Sequence, residues 1–537
     1  MIHQFEVDGV PAIFSPSTGP TRAGLVFRVG FADETLPRAG ITHLLEHLAL
    51  HRIGREYHSN GTTTVEHTSF HMQGSNGDVV AFLTGVCAAL TDLPMDRMPV
   101  EKDLLRAEAA RRRPSVYERM ALWRHGAVDY GVSGYPETGL AAITENDLRE
   151  WAARYFTRDN AVLWVTGPAV PEGLRLALPA GQRRPCPQPS SALPVTPAWF
   201  GGTGDAVAWS TVVPHSPAAE VFADLLERSM FRDLRTVGGI SYTAATSMQR
   251  MGPNTMILGY ADAVPDSHQA VLGGMIDVLA AFGAGRIDRG DLALSIRPDI
   301  EEDLPEQALN VLAGRPVQSA EQRAAQIAAV TADDIVAVAR TAYAAGLLMV
   351  PDGTSAQWAG YVTAPLWSEE TVSGTAYPAR TRRKARLIVA PDGVSLVAGE
   401  QPITVRFAAC ALYRAWPDGA RQLIGHDAIA VHIEPELFRN GVKAIAELDA
   451  RVPAGLRVDE PPRSPEAVPV VRLRDRLPRF ERFHLMVALL IAYVITVTGL
   501  VLWQEKYYIQ LIMHVTFAAL AFRNLRNRRA QTQRRST

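Results

Sequence analysis

A helix followed by a buried strand occurs twice in this chain, and this repeat limits the folds that the chain can adopt. Residues 144–156, TENDLREWAARYF, run into the strand AVLWVTG at 161–167, and residues 331–343, TADDIVAVARTAY, run into LLMVPDG. Both helical stretches begin with a Thr N-cap followed by acidic residues. An internal repeat of this length predicts two α+β halves with a common architecture.

The composition of the chain indicates where the other domains and linkers begin and end. The 537 residues are 47% hydrophobic and 20% charged, which supports several buried cores and excludes a disordered or fibrous chain. Pro-rich or polar stretches predict linkers, and short strand patterns around PDG turns predict a β-rich module. The expected order is a first half at 1–168, a linker at 169–198, a second half at 199–350, a linker at 351–384, a β-rich module at 385–460 and a basic, Pro-containing linker at 461–482.

The C-terminal region predicts a membrane anchor. Residues 483–503 are apolar over about 31 Å of helix, enough for the hydrocarbon core, and residues 507–522 reach about 24 Å. Five arginines precede this region and six follow it. Because basic flanks stay on the cytoplasmic side, we expect two crossings, with a transmembrane hairpin at 483–522 and a basic tail at 523–537. The alternative is a single span followed by an interfacial helix.

The rest of the chain has a different charge. The residues before 472 carry 42 basic and 53 acidic groups, which argues against a nucleic-acid-binding body. Three widely spaced cysteines exclude a disulfide scaffold and suit a reducing compartment. The first residues lack the basic and apolar pattern of a secretory signal. We therefore expect an integral membrane protein whose body is cytoplasmic.

The strongest chemical signal is the sequence His43-Leu44-Leu45-Glu46-His47. On a helix the two histidines lie one turn apart on the same face, so they can bind one metal ion, with Glu46 beside them. Two neutral imidazoles and a carboxylate that can accept a proton are the groups that a hydrolytic zinc site requires. The alternative is an accidental meeting of these residues on an amphipathic helix.

The context of this motif resembles the insulinase/pitrilysin family of zinc metallopeptidases over roughly residues 5–350. The segment GLVFRVGFADETLPRAGITHLLEHLAL resembles the family's strand, acidic turn and metal-binding helix, and NGTTTVEHTSFHM resembles its Asn-x-x-Thr strand. The resemblance implies two α/β sandwich halves and one Zn²⁺ per chain, bound by His43 and His47. It also implies that Glu46 is the general base and that Asn60 binds substrate.

In the family a third zinc ligand comes from a later helix. The segment EKDLLRAEAARR, residues 101–112, has the family's two glutamates seven residues apart. This match implies that Glu108 is the ligand and that Glu101 is a carboxylate supporting a ligand from outside. Glu118 is the competing ligand, because the interval from His47 to Glu108 is shorter than in the better-known members. For Glu101 the alternative is a solvated helix face.

The second half has a further match to the family. Arg235 and Tyr242 lie seven residues apart ahead of a strand, and the resemblance implies that they hold the substrate backbone and stabilise the oxyanion. The alternative is an Arg at a helix end and a Tyr packed in a core. Relatives enclose peptides between four such halves, whereas this chain has two. The resemblance therefore implies a dimer, a homodimer or a heterodimer, that acts on short or unfolded peptides.

The sequence as a whole predicts a membrane-anchored zinc metalloendopeptidase with an α+β fold. The β-rich module has no catalytic pattern, and its VRFAACALYRAW segment and WPDG turn weakly resemble a pleckstrin-homology-like domain. The rival prediction is a non-catalytic scaffold or assembly protein on the same fold. Relatives with that role lack the metal-binding residues, and this chain retains them.

Overall fold

The structure of the protein is a computed structural model, in which two α/β halves are followed by a β-rich module and by helices near the C-terminus. It describes residues 2–51, 58–112, 114–202, 204, 206–297, 303–380, 385–399, 401–469, 486–487, 489–497 and 508–533.

The first half is a six-stranded sheet with helices packed on it. Its strands are β1 (His3–Val7), β2 (Val10–Pro16), β3 (Thr21–Phe27), β4 (Ser59–Thr63), β5 (Thr68–Gly74) and β6 (Ala161–Gly167), paired in the order β1-β2-β6-β3-β5-β4. Its helices are α1 (Ile41–His51), α2 (Asn76–Thr91), α3 (Met98–Arg111), α4 (Val116–His125) and α5 (Glu145–Tyr155). The apolar faces of α1, α2 and α5 and the sheet form one core, which includes Leu25, Leu48, Val79 and Leu148.

The second half repeats the order of five of these strands, and its edge strand β12 differs from β1 because it follows the other strands in the chain and runs parallel to its neighbour. Its strands are β7 (Ala198–Gly202), β8 (Ala206–Pro214), β9 (Ala244–Met251), β10 (Asn254–Asp262), β11 (Leu347–Pro351) and β12 (Val362–Thr363), paired in the order β12-β7-β11-β8-β10-β9. Its helices are α6 (Pro217–Met230), α7 (His268–Gly283), α8 (Arg289–Ser295), α9 (Leu304–Leu312), α10 (Ala320–Ala328) and α11 (Ala332–Ala344). The predicted N-caps of α5 and α11 are confirmed, because Thr144 and Thr331 each accept a backbone hydrogen bond from the third residue of the helix.

The two halves exchange helices across their interface. Helix α4 of the first half packs Met120 against the second sheet, and its Trp123 stacks on Phe200 with ring centroids 4.6 Å apart. Helix α9 of the second half packs Leu304 and Ala308 against the first sheet. Since each sheet is covered by a helix from the other half, the halves hold each other in place.

The β-rich module consists of two four-stranded sheets and one helix. The strands are β13 (Thr375–Pro378), β14 (Ala385–Val389), β15 (Gly393–Ala398), β16 (Gln401–Arg406), β17 (Cys410–Ala415), β18 (Arg421–Gly425), β19 (Ala430–Ile433) and β20 (Arg457–Asp459). The sheets have the orders β13-β14-β15-β16 and β19-β18-β17-β20. Helix α12 (Gly441–Asp449) contributes Ala444, Ile445 and Leu448 to the core between them.

Two short strands lie within the predicted linker at 351–384. Strand β12 joins the edge of the second sheet beside β7, and β13 joins the module beside β14. Both strands are short and mostly exposed. They are held by backbone hydrogen bonds to a neighbour, which leave no hydrophobic pattern in the sequence.

The C-terminal region is described in part. Residues 489–497 are helical, α13 (Tyr508–Gln533) is a helix, and Leu490, Tyr493, Met513 and Phe517 face one cavity between them. Among the described residues, no single helix is long and apolar enough to cross a membrane, although the bent pair Asn76–Thr91 and Met95–Arg111 meets both criteria together. Residues 483–485, 488 and 498–507 of the predicted hairpin lie outside the described residues, so the hairpin stays a prediction.

Candidate metal and catalytic site

Helix α1 presents its two histidines to one side of the first half. Leu44, Leu45 and Leu48 are fully buried in the core and fix the helix against the sheet. The side chains of His43 and His47 therefore lie on the open face, each still about four-fifths buried, with ring centroids 4.9 Å apart. The predicted pair thus shares one face of one helix turn.

Glu108 approaches this pair from α3. Its Oε2 lies 4.0 Å from Nε2 of His47, and one ligand atom from each of His43, His47 and Glu108 lies within 4.8 Å of the other two. Among the described residues, this is the group of His, Cys, Asp and Glu side chains that is compatible with a metal ion. Two imidazoles and one carboxylate form a ligand set that zinc uses in hydrolytic sites.

A carboxylate lies behind each histidine. Nδ1 of His43 is 2.7 Å from Oε1 of Glu137, and Nδ1 of His47 is 3.3 Å from Oε2 of Glu101. Such pairing keeps the proton on Nδ1 and leaves Nε2 free to bind a metal. Burial lowers the pKa of His43, but the hydrogen bond to Glu137 and the negative charges of Glu137, Glu46 and Glu108 outweigh burial and raise that pKa above its ordinary value.

Glu46 is buried between α1 and the edge strand β4. Its Oε2 accepts a hydrogen bond of 2.9 Å from Oγ1 of Thr63. The absence of a side chain at Gly61 gives this carboxylate its space, because a Cβ there would lie 2.6 Å from Oε1 of Glu46 and the side chain would have to shift. Burial raises the pKa of Glu46, opposed by His43 and by the Thr63 hydrogen bond. A carboxylate with a raised pKa is a stronger proton acceptor, as a general base requires.

The geometry favours Glu108 over Glu118 as the third ligand. Glu118 lies on α4, where its Oε2 accepts a hydrogen bond of 2.7 Å from the backbone N–H of Ser115 and its other oxygen pairs with Arg112. This carboxylate therefore caps the start of its own helix. Glu108 has no such capping role and its side chain is half exposed.

A cavity of about 460 Å³ opens beside the site. Its lining includes His43, Glu108 and Glu137, together with Tyr117 and, from the second half, Gln249. The cavity gives the metal-compatible group access to a ligand of the size of a few amino-acid residues.

The other predicted residues lie elsewhere. Arg235 lies in a π-helical turn, Phe231–Val237, and its guanidinium stacks on the ring of Tyr242 at 4.6 Å. Tyr242 is 73% exposed, and neither residue lines the cavity. Asn60 pairs with His71 and lines a separate pocket on the opposite face of the first sheet. The roles predicted for these three residues stay predictions.

Two partners of the site were missed by the sequence reasoning. Thr63 is the last residue of the Asn-x-x-Thr pattern that carries the resemblance, so a signal for it was present. Glu137 lies in an isolated turn between Pro136 and Thr138, with no periodic pattern or motif around it. Only the three-dimensional arrangement brings it to His43.

The fold and site together define a two-half α/β protein with a metal-compatible group on its first half. No protein-family model matches the sequence, and none of the curated proteins matches it. Among solved structures, the chain is similar to a protease from Helicobacter pylori, with 17% identity, 65% of this chain and 98% of that chain covered, and a TM-score of 0.55.

Two further solved structures extend the comparison. The peptidase M16 inactive domain from Pseudomonas fluorescens shares 12% identity, with 66% of this chain and 99% of that chain covered and a TM-score of 0.56. A putative M16-like peptidase from Alicyclobacillus acidocaldarius shares 14% identity, with 66% and 98% covered and a TM-score of 0.52. The chain thus has a mixed α/β fold similar to the halves of M16 peptidases, a fold that active and inactive proteins share.

Proposed function

We propose that this chain is a membrane-anchored zinc metalloendopeptidase. The observation that supports it best is the meeting of His43, His47 and Glu108, with ligand atoms within 4.8 Å and a carboxylate behind each histidine. The fold alone does not decide activity, since an inactive M16 domain has a similar one. The polar groups at the site are what supports the proposal.

The ligand set suits one Zn²⁺ per chain. When bound, the ion would supply a Lewis acid that lowers the pKa of water and polarises a peptide carbonyl. Glu137 and Glu101 would hold His43 and His47 in the orientation that keeps Nε2 toward the ion.

Glu46 is the proton carrier in this proposal. Its carboxylate takes a proton from the attacking water and later gives it to the leaving amine. Thr63 fixes one carboxylate oxygen through its hydroxyl hydrogen bond, and Gly61 leaves space at the other. The raised pKa of Glu46 matches a group that must both accept and donate a proton.

The surroundings of Glu46 favour an extended peptide as the substrate. Strand β4 is at the edge of the first sheet, and it carries both Gly61 and Thr63. An extended segment could add to this edge by backbone hydrogen bonds, which would place a peptide bond beside Glu46. A folded protein offers few such segments, so the expected substrates are short or unfolded peptides.

A second copy of the chain would complete the site. Arg235 and Tyr242 lie on the second half away from the cavity, and Phe231, Val237 and Tyr242 are exposed there. We propose that a homodimer, or a heterodimer with a similar chain, brings this surface to the zinc site of the partner. There Arg235 and Tyr242 would stabilise the oxyanion of the substrate.

The membrane part of the proposal is supported by sequence. The hairpin at 483–522 with arginines on both sides would anchor the protein and leave both halves in the cytoplasm. The alternative function, a scaffold on the same fold, predicts that the group around His43 binds no metal.

One experiment separates the two functions. The full-length protein is incubated with an unfolded polypeptide, with a chelator, and with the chelator followed by zinc. The peptidase predicts cleavage that the chelator stops and zinc restores. Absence of cleavage by zinc-loaded, folded protein would favour the scaffold.

A further inference from the structure

The β-rich module packs directly against the elements that build the zinc site. Its docking face consists of four buried apolar side chains, Ala411, Leu412, Ile424 and Val458, which meet Leu36, Ala39, Ala127 and Val132 of the first half. A backbone hydrogen bond of 2.9 Å from the N–H of Ala127 to the carbonyl of His426 joins the same surfaces.

The first-half side of this contact includes the turn at residues 34–40, which holds the start of α1, and a second turn, at residues 136–141, lies beside strand β20 of the module. In the turn at residues 34–40, the carboxylate of Glu34 accepts hydrogen bonds from the backbone N–H groups of Gly40, at 2.8 Å, and Thr42, at 2.9 Å. In the turn at residues 136–141, Glu137 binds Nδ1 of His43. The module therefore contacts the turn that fixes the start of α1, and it lies beside the turn that orients the first histidine.

The two turns are also joined to each other. The hydroxyl of Thr138 donates to the carbonyl of Leu36 at 2.9 Å, and the N–H of Gly139 donates to the carbonyl of Ala39 at 3.1 Å. A Cβ on Gly139 would lie 2.5 Å from the backbone N of Ala39. Because the two turns are packed this closely, a shift of the turn at 136–141 also moves the turn at 34–40, and the reverse.

The contact with the module is equally tight. A Cβ on Gly126 would lie 2.0 Å from the carbonyl oxygen of His426, and Leu412 and Val458 are fully buried. A groove between the module and α3, lined by Arg414 and Glu460 on one side, also includes Glu137. The module is therefore a wall of the region that surrounds the proposed zinc site.

We propose that the β-rich module positions the zinc site: its docking face holds the turn at 34–40, which is hydrogen-bonded to the turn at 136–141, and thereby keeps Glu137 on His43. This inference rests on the proposed function. Leu412 and Val458 are then positioning residues, which act through Glu137 and touch neither metal nor substrate.

The test compares two leucines of the module in the full-length protein. Leu412→Ala removes a fully buried side chain from the docking face, and Leu423→Ala removes the same side chain, equally buried, from the module's own core. Zinc affinity is measured by competition with a chelator. Leu412→Ala should weaken zinc binding about 10-fold, the size expected when a carboxylate behind a ligand histidine is displaced. Leu423→Ala should stay within about 2-fold.

A double variant separates positioning from general destabilisation. Glu137→Gln alone should weaken zinc binding by about 10- to 100-fold, and adding Leu412→Ala should cause no further loss, since both changes act on one contact. Val458→Ala, a smaller truncation of the same face, should show the same non-additivity if Leu412→Ala does not fold.

The outcomes are distinct. One outcome is that the wild type binds zinc and the losses of zinc affinity caused by Glu137→Gln and by either docking-face variant multiply in the double variant. This outcome would overturn the inference and leave the proposed function standing. Equal losses in Leu412→Ala and Leu423→Ala would overturn it as well. A folded wild-type protein that binds no zinc would overturn the proposed function, and this inference with it.

Discussion

Five strands of each half have the same order, but the two halves carry different side chains at the equivalent position of one helix. Strand β4 of the first half corresponds to β9 of the second, and α1 corresponds to α6. In α1 the sequence is His43-Leu-Leu-Glu46-His47, and in α6 it is Asp224-Leu-Leu-Glu227-Arg228. Glu46 accepts a hydrogen bond from Thr63 of β4, and Glu227 accepts one from Thr246 of β9.

The difference lies in the residues on either side of the glutamate. Asp224 and Arg228 form an ion pair of 2.8 Å within α6, where the first half has two histidines backed by carboxylates. An ion pair within a helix binds no metal, whereas two imidazoles with free Nε2 atoms can. The fold therefore provides the same position in both halves, and the side chains on either side of the glutamate make this position compatible with a metal ion in the first half.

The largest effect is expected for the glutamate itself. Glu46→Gln keeps the shape and removes the proton acceptor, so peptide hydrolysis should fall by about 100-fold or more while zinc stays bound. Glu227→Gln is the matched change in the second half and should leave hydrolysis within about 2-fold. Rates from a quenched fluorescent peptide measure both. Equal rates for Glu46→Gln and the wild type would remove Glu46 from the mechanism.

The next largest effect is expected for the proposed third zinc ligand, Glu108. Glu108→Gln should weaken zinc binding by about 10-fold or far more, because one of three protein ligands is lost. Glu118→Gln removes a helix-capping carboxylate and should leave zinc affinity unchanged. Metal competition on the two variants decides between them. The reverse pattern would make Glu118 the ligand.

A smaller effect is expected when the space beside Glu46 is filled by a substitution of Gly61. Gly61 lies two residues before Thr63, and the second half has Ala244 two residues before Thr246. The methyl group in Gly61→Ala would press on Oε1 of Glu46, so kcat should fall by about 10-fold with zinc retained. Ala244→Gly should not change kcat. A Gly61→Ala enzyme with wild-type kcat would show that the position of Glu46 tolerates the shift.

The smallest effect concerns how each helix begins. The backbone N–H groups at the start of α1 bind the buried Glu34, whose pKa burial raises to about 7, whereas α6 begins at the Ser216 N-cap. Between pH 4.5 and 7 the folded protein keeps a proton that the unfolded chain releases, so stability falls as pH rises, by at most about 3 kcal/mol.

Thermal melts from pH 5 to 8 test this difference. The melting temperature of the wild type should fall more steeply with pH than that of Glu34→Gln, which cannot release the proton. Ser216→Ala should follow the wild-type slope, because it changes a neutral cap. Parallel slopes for the wild type and Glu34→Gln would show that Glu34 carries no proton in the folded protein.

Much of the site could be predicted because its signals are local. The spacing of His43 and His47 fixes a common helix face, and the seven-residue spacing from Glu101 points to Glu108. Glu137 could not be predicted, because it reaches His43 from a turn 94 residues away without any pattern of its own.

The fold shows the same division. The repeat predicted two halves of one architecture, and five strands of each sheet have the same order. The short strands β12, β13 and β20 were placed in predicted linkers or at their edges, because their pairing depends on a neighbouring edge and not on their own side chains. The docking of the module on the first half could not be predicted for a related reason. In the sequence, Ala and Leu residues that are buried between two domains cannot be distinguished from those buried inside one domain.

Metal analysis of the purified full-length protein shows whether the group on α1 and α3 binds zinc. The wild type is compared, after dialysis, with the double variant His43→Asp, His47→Arg. This variant gives α1 the residue types that α6 has at Asp224 and Arg228. We expect about one zinc per wild-type chain and none in the variant, with both proteins folded. Equal zinc content in the two proteins, or none in the wild type, would contradict this expectation.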